Sequence, residues 1–260
     1  MDASMWVAKT GLDAQQTRMN VISNNLANVN TSGFKRDRAV FEDMLYQNIR
    51  QAGGQTDANS QSPTGMMLGT GVRVVATEKL HGQGSMVNTQ NPLDMAVAGE
   101  GFFQIAQADG SIAYTRDGNF KISATGQIVT ASGAALQPAI TVPAGTASIT
   151  IGRDGTVSAQ SAAGAQAAIG QIQIARFVNP SGLQAMGQNL LKETAASGAP
   201  QVVAPGTAGA GTLQQGSLEA SNVNVVEEMV SMIETQRAYE VNSKAISAVD
   251  GMLRFINNNM

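Results

Sequence analysis

Apolar residues spaced seven apart at both ends of the chain restrict its fold more than any other feature. At the N-terminal end one row runs Met1, Ala8, Gln15, Ile22, Val29 and a second runs Met5, Leu12, Met19, Leu26. Gln15 alone breaks the stripe. At the C-terminal end Val225, Met232, Tyr239, Ile246 and Leu253 repeat the spacing, with Met229, Val249 and Ile256 beside them. An apolar period of about 3.5 residues held over several heptads predicts a long helix with a coiled-coil seam. No proline interrupts the first stretch, and Gly11 costs only about 1 kcal/mol against alanine. On the second helix Glu234, Arg237 and Glu240 take the other faces. Ser221 or Asn222 is expected to cap its start, and Glu227 and Glu228 suit the positive end of its dipole.

Neither helix is stable alone in water, because nothing covers its stripe. The simplest arrangement pairs the two ends with each other, antiparallel or staggered. An ordinary intramolecular hairpin satisfies that requirement. Val226, Val230 and Ile233, however, widen the second stripe and leave an apolar face suited to other copies of the chain.

Between the helices the periodicity changes. Short runs at Val72–Thr77, Phe102–Ala106, Phe120–Ser123, Gln127–Thr130, Ala147–Gly152, Thr156–Ala159 and Ile169–Phe177 read as strands. Asp109-Gly110, Asp117-Gly118 and Asp154-Gly155 mark turns between them. Strands at this spacing indicate an antiparallel sandwich or barrel-like sheet. Gly53–Gly71 and Ala195–Gly211, loose in composition, read as long connections. The expected fold is thus α+β and discontinuous. Residues 1–45 and 213–260 form a helical coiled-coil layer, 46–72 an extended insert, and 73–212 an antiparallel all-β domain.

The residue inventory leaves little room for catalysis. Cysteine is absent, which removes disulfides, thiolate metal sites and a cysteine nucleophile. His81 is the single histidine, so imidazole-built zinc sites are excluded and a Ser-His-Asp triad has one candidate base. Gly69-Thr70-Gly71 and Gly99-Glu100-Gly101 do not continue as a dinucleotide fingerprint between a strand and a helix. The Asp-Gly pairs lack calcium-loop spacing and are better read as turns. A net charge of -3, with only 13% charged residues, gives no footprint for nucleic acid. No run reaches the roughly 18 apolar residues of a membrane span. The first residues also lack the basic start and apolar run of a cleavable signal. The expectation is a protein with no catalytic, cofactor or metal site.

A cluster of Asn and Ser ending in Gly should stop the first helix and turn the chain. As a string, Asn24-Asn25-Leu26-Ala27-Asn28-Val29-Asn30-Thr31-Ser32-Gly33-Phe34-Lys35 resembles the signature of the bacterial flagellar basal-body rod and hook family. The second helix carries the matching strings Leu218-Glu219-Ala220-Ser221-Asn222-Val223-Asn224 and Gln236-Arg237-Ala238-Tyr239-Glu240. The centre is similar too, at Asp94–Phe103 and Tyr114-Thr115-Arg116-Asp117-Gly118-Asn119-Phe120. Length and the segment from about Tyr46 to Gly71 resemble the members that build the distal rod rather than the longer hook proteins.

The resemblance implies a structural subunit of a rigid helical tube, a drive shaft carrying torque across the periplasm and outer membrane. It implies self-assembly, contact with proximal rod and hook proteins and with the peptidoglycan-level and outer-membrane rings, and passage through the flagellar export apparatus without a cleavable signal. It implies no membrane insertion. The residues expected in the self-assembly core are Met5, Leu12, Met19, Ile22, Leu26, Val225, Met232, Tyr239, Ile246 and Leu253. Those expected to carry the family motif are Asn25, Leu26, Asn28, Gly33, Phe34, Ser221, Asn222, Arg237 and Tyr239. Another flagellar axial subunit, proximal rod or hook, is the near alternative. A secreted β-domain binding module, which would need a cleft with convergent polar or aromatic groups, is the distant one.

Overall fold

Ala3–Ala27 forms helix α1 and Val225–Asn258 forms helix α2, and the region between them is built from β-strands. At 1.5 Å per residue α2 is roughly 50 Å long. The structure, a computed structural model, describes residues 3–53, 55–57, 60–61, 63–162 and 164–258. Met1 of the first apolar row and part of the 46–72 insert lie outside the described residues. The cap of α2 is Asn224 rather than Ser221 or Asn222: its Oδ1 accepts from the Val226 and Glu227 backbone N–H groups at 3.1 and 3.5 Å.

The chain separates into two units. The first holds residues 1–26, 37–78 and 224–260, and the second holds 27–36 and 79–223.

In the first unit three contacts relate the helices. A side chain on Gly11 would meet the Asn242 carboxamide at 3.0 Å, Arg18 lies 4.0 Å from Glu234, and Asn25 donates to Glu228 at 3.3 Å. One number falls as the other rises, so the helices run antiparallel along this face. The contact face is small and polar. Ala14, Ile22 and Asn25 are the buried residues of α1, and Glu228 and Thr235 are those of α2 among the described side chains.

The same unit carries a two-stranded ribbon that the composition of Gly53–Gly71 conceals. Asp37–Asp43 pairs with Val72–Lys79, Tyr46–Arg50 with Met66–Gly69, and Gln55–Asp57 with Ser60–Gln61. The Met44 N–H bonds the Gly71 carbonyl at 2.8 Å and the Thr70 hydroxyl bonds the Leu45 carbonyl at 2.6 Å, which joins the first two ladders into one arm. The expected loose connection is therefore partly strand. Gln55–Asp57, Ser60–Gln61 and Met66–Gly69 are its strands.

The second unit centres on a nine-stranded sheet. Phe102–Ala106 runs through its middle, with Ile112–Thr115 on one side and Ala135–Gln137 together with Ile174–Arg176 on the other. All these pairings are antiparallel, and alternate residues feed two apolar clusters. Phe103 and Ile105 point into one with Met95, Phe120, Leu136 and Ile174. Phe102 points into the other with Tyr114, Phe177 and Leu191. Both faces of the central strand are thus covered, which is why its burial is continuous rather than alternating. A separate three-stranded sheet comprises Thr146–Ile151, Thr156–Ser161 and Gln166–Gln171.

Asp109-Gly110 and Asp154-Gly155 are turns as expected. Gly110 and Gly155 have φ of +82° and +84°, and each aspartate accepts from the residue two positions on. Asp117-Gly118 differs, because it does not join two paired strands. Gly118 is a crossing point, where its carbonyl accepts from the Met95 N–H at 3.0 Å and a Cβ would sit 1.5 Å from the Met95 oxygen.

Candidate structural clamp and assembly surface

The string after α1 acts first through Asn25. Its side chain grips one backbone position twice: Nδ2 donates to the Asp37 carbonyl and Oδ1 accepts from the Asp37 N–H, both at 2.9 Å. A carboxamide is the side chain that reproduces the donor and acceptor of a strand partner in this way. Asn25 is 1% exposed, so losing it would leave buried backbone groups unpaired.

Within the second unit the turn that follows is pinned by Gly33. Its φ is +68°, its N–H bonds the Glu219 carbonyl at 2.8 Å, and a Cβ would lie 2.6 Å from the Arg116 backbone. Only glycine tolerates both the left-handed backbone and that approach. Asn28 accepts from the Thr31 hydroxyl at 3.2 Å, and Phe34 lies under the Lys79 ammonium, 5.1 Å from the ring centre. Asn222 accepts from the Arg36 N–H at 2.7 Å and donates to the Leu80 and Gly82 carbonyls. Ser221 is buried and its hydroxyl accepts from the Val223 N–H at 3.3 Å.

The centre of this clamp is a buried charge cluster. Glu219 is 1% exposed. It pairs with Lys35 at 2.5 Å and with the Arg116 Nε at 3.2 Å, and it accepts from the Gly84 N–H at 2.9 Å. Lys35 also donates to the Gly82 carbonyl, and Arg116 to those of Gly101 and Gly99, at 2.7–2.8 Å. Burial holds the pKa values of both cations below their ordinary values, and the Glu219 carboxylate opposes that shift. One carboxylate thus joins the string after α1, the central Tyr114–Phe120 string and the string before α2.

His81 borders the cluster, edge-on to Phe102 with ring centres 5.5 Å apart. Burial, with Lys35, Lys79 and Arg116 nearby, pushes its pKa down to about 4. Its environment is therefore that of a neutral packed histidine, beside a cleft that Arg116, Arg176 and Phe177 also line. A group with a folded pKa below its unfolded value favours the native state above the unfolded pKa. That stability is lost as pH falls through the window from about 6.5 to about 4. His81→Phe should flatten the pH dependence of urea stability in that window by up to about 3 kcal/mol relative to the unsubstituted chain. Parallel curves for the two proteins would show that His81 is not responsible.

The heptad residues occupy a different environment. On α1 Ile22 is buried, and Met5, Leu12, Met19 and Leu26 are half-buried. On α2 Met232 and Ile246 are half-buried, but Val225, Tyr239 and Leu253 are about 40% exposed. Arg237 is exposed as well. Val226, Met229, Val230 and Ile233 are each about half or more exposed along the side of α2 away from Glu228 and Thr235. Gln15, the break in the first row, is half-buried beside the polar helix contact. No described helix is long and apolar enough to cross a membrane, and no described cluster of acidic or histidine side chains has metal-ligand geometry.

Three family comparisons match the three strings. Residues 5–35 match the family described as flagella basal body rod protein. Residues 96–159 match the flagellar hook protein FlgE/F/G D1 domain, and 214–259 match the flagellar basal body rod FlgEFG protein C-terminal region. The chain is 54% identical to the flagellar basal-body rod protein FlgG of Buchnera aphidicola from Schizaphis graminum and 53% identical to that from Acyrthosiphon pisum, over 98% of each chain. This chain belongs to the flagellar basal-body rod family. Its FlgG relative in Borreliella burgdorferi is 46% identical over 99% of this chain and 98% of that one. The family is one of structural rod proteins, and no catalytic function is indicated for it. The Lys35–Glu219–Arg116 cluster takes one residue from each of the three matched segments.

Proposed function

We propose that this chain is the structural subunit of the flagellar distal rod, a helical homopolymer that carries torque from motor to hook. The observation that supports it best is near-full-length likeness to rod proteins named FlgG, joined to an apolar stripe left exposed on α2. The clamp gives each subunit a rigid β region. The terminal helices supply the part that polymerises, pairing as a coiled-coil layer with those of neighbouring copies. A contact repeated by one rotation and rise without closing on itself produces a filament rather than a ring. The partners in this reading are further copies, the proximal rod below, the hook above, the rings that surround the shaft, and the export apparatus that delivers unfolded subunits. The segment 46–72 braces adjacent subunits and makes the shaft straight.

Leu26 and Ile246 are assigned to the assembly core. Leu26→Asp or Ile246→Asp should abolish rod assembly and motility in a strain lacking the natural subunit, while circular dichroism of the purified variants retains the β signal. Normal swimming with either variant would contradict the assignment. Hook proteins attached to basal bodies made without this subunit would contradict the distal-rod reading itself.

A further inference from the structure

Two buried strands of the second unit take their partners from one late segment, residues 211–223. Met95–Ala98 pairs with Thr212–Gln215, and Met86–Asn88 pairs with Ser217–Glu219. Among the described residues neither strand has another ladder. Met95, Ala96, Val97 and Leu213 are each at most 2% exposed, so the first pairing lies inside the unit and not at a free edge. Around the two ladders the Gly216 N–H donates to the Asp94 carbonyl, the Thr89 N–H to the Gly216 carbonyl and the Ala220 N–H to the Ser85 carbonyl, all at 2.8 Å.

The same segment reaches the three-stranded sheet. Gln215 grips the Thr146–Ile151 strand as Asn25 grips Asp37. Its Oε1 accepts from the Ile151 N–H at 3.0 Å, and its Nε2 donates to the Ile149 carbonyl at 2.8 Å. Nε2 also donates to the Pro92 carbonyl at 2.8 Å, and the Leu213 N–H donates to the Arg153 carbonyl at 3.1 Å. At its far end the segment supplies Glu219 to Lys35 and Arg116, and Asn222 to the Arg36 and Gly82 backbone. Without it, two strands would keep unpaired backbone groups beside an apolar core, and two buried cations would lose their carboxylate. Both situations are costly, and they arise together.

We infer that residues 211–223 form a strap whose docking closes the β unit in one step. The unit has no stable form with the strap undocked, and it opens and closes as a whole. Synthesis proceeds from the N-terminus, so the β region of an incomplete chain stays open until residue 223 is available. That interval keeps the subunit unfolded for the export apparatus. This last consequence rests on the export reading above, whereas the strap does not.

Hydrogen exchange on the free, unsubstituted chain in rising sub-denaturing urea tests the strap, and it needs neither export nor assembly. The Leu213, Gly216 and Ala220 amides should exchange with the same urea slope as those of Phe102–Ala106, with protection agreeing within about threefold. Strap amides that exchange through an opening insensitive to urea, while Phe102–Ala106 stays protected, would overturn the inference. Gln215→Leu supplies a second measurement, because it keeps a similar size and removes both bonds to the 146–151 strand. Exchange at Ile151 and at Leu213 should rise together, by about tenfold. A rise at Ile151 alone would show that the carboxamide serves one strand and that the strap does not carry the sheet.

Discussion

Glu219→Ala is expected to destabilise the β region by about 3–5 kcal/mol, because it leaves two buried cations without their counter-charge. Lys35 and Arg116 are each less than 10% exposed, so neither has ready access to water to replace the carboxylate. The Gly84 N–H loses its acceptor at the same time. Glu219→Gln retains the size and an acceptor but not the charge, and should fall between. If the deficit is electrostatic, adding Lys35→Met to Glu219→Gln should recover part of it, since a flexible apolar side chain then takes the place of one unpaired ammonium. Urea unfolding followed by near-ultraviolet circular dichroism reads the β region through the buried Tyr114. The single tryptophan, Trp6, lies in α1, so its fluorescence reports the helical unit separately. A Glu219→Ala midpoint within error of the parent protein would show that the cluster does not hold the three strings together.

Gly118→Ala should be comparably severe, on the order of 4 kcal/mol, through a different cause. A Cβ at that position would lie 1.5 Å from the Met95 carbonyl oxygen, and that contact is with backbone, which no rotamer change relieves. The Gly118 carbonyl accepts from the Met95 N–H, and the neighbouring Asp94–Asn119 bridge fixes the same crossing. Met95 is fully buried in the larger apolar cluster, so displacing its backbone disturbs packing around Phe103 and Phe120 as well. The β-region transition should move to markedly lower urea. An unchanged transition would mean that the crossing opens without loss.

The two long helices were legible in the sequence because a seven-residue apolar repeat has no other common structural meaning. The partner each stripe meets was not. Periodicity reports that an apolar face exists, and says nothing of whether the same copy or another covers it. Hence Val225, Tyr239 and Leu253 are exposed, while Glu228, Thr235 and Ala14 line the face shared by α1 and α2. Gln15 stays unexplained by this face, because its Oε1 is buried without a hydrogen-bond partner among the described residues.

The β centre was legible from Phe102–Ala106 and from the Asp109-Gly110 and Asp154-Gly155 turns, whereas Asp117-Gly118 misled. The arm was not, because the Gln, Ser, Gly and Thr of its tip outweighed the short run Met66-Met67-Leu68. The clamp was the least visible feature. Lys35, Arg116 and Glu219 are ordinary surface residue types, far apart in sequence. Their one signal was that each sits inside or beside a string that the family resemblance had already marked.

In the polymer proposed above, other copies complete the terminal helices. Amide hydrogen exchange, compared between the free chain and the protein in isolated basal bodies, tests it most directly. Residues 3–27 and 225–258 should exchange rapidly in the free chain and become strongly protected on assembly, with the β core protected in both. Equal protection of the helices in both states would show a prefolded hairpin that needs no neighbour, and would contradict the account.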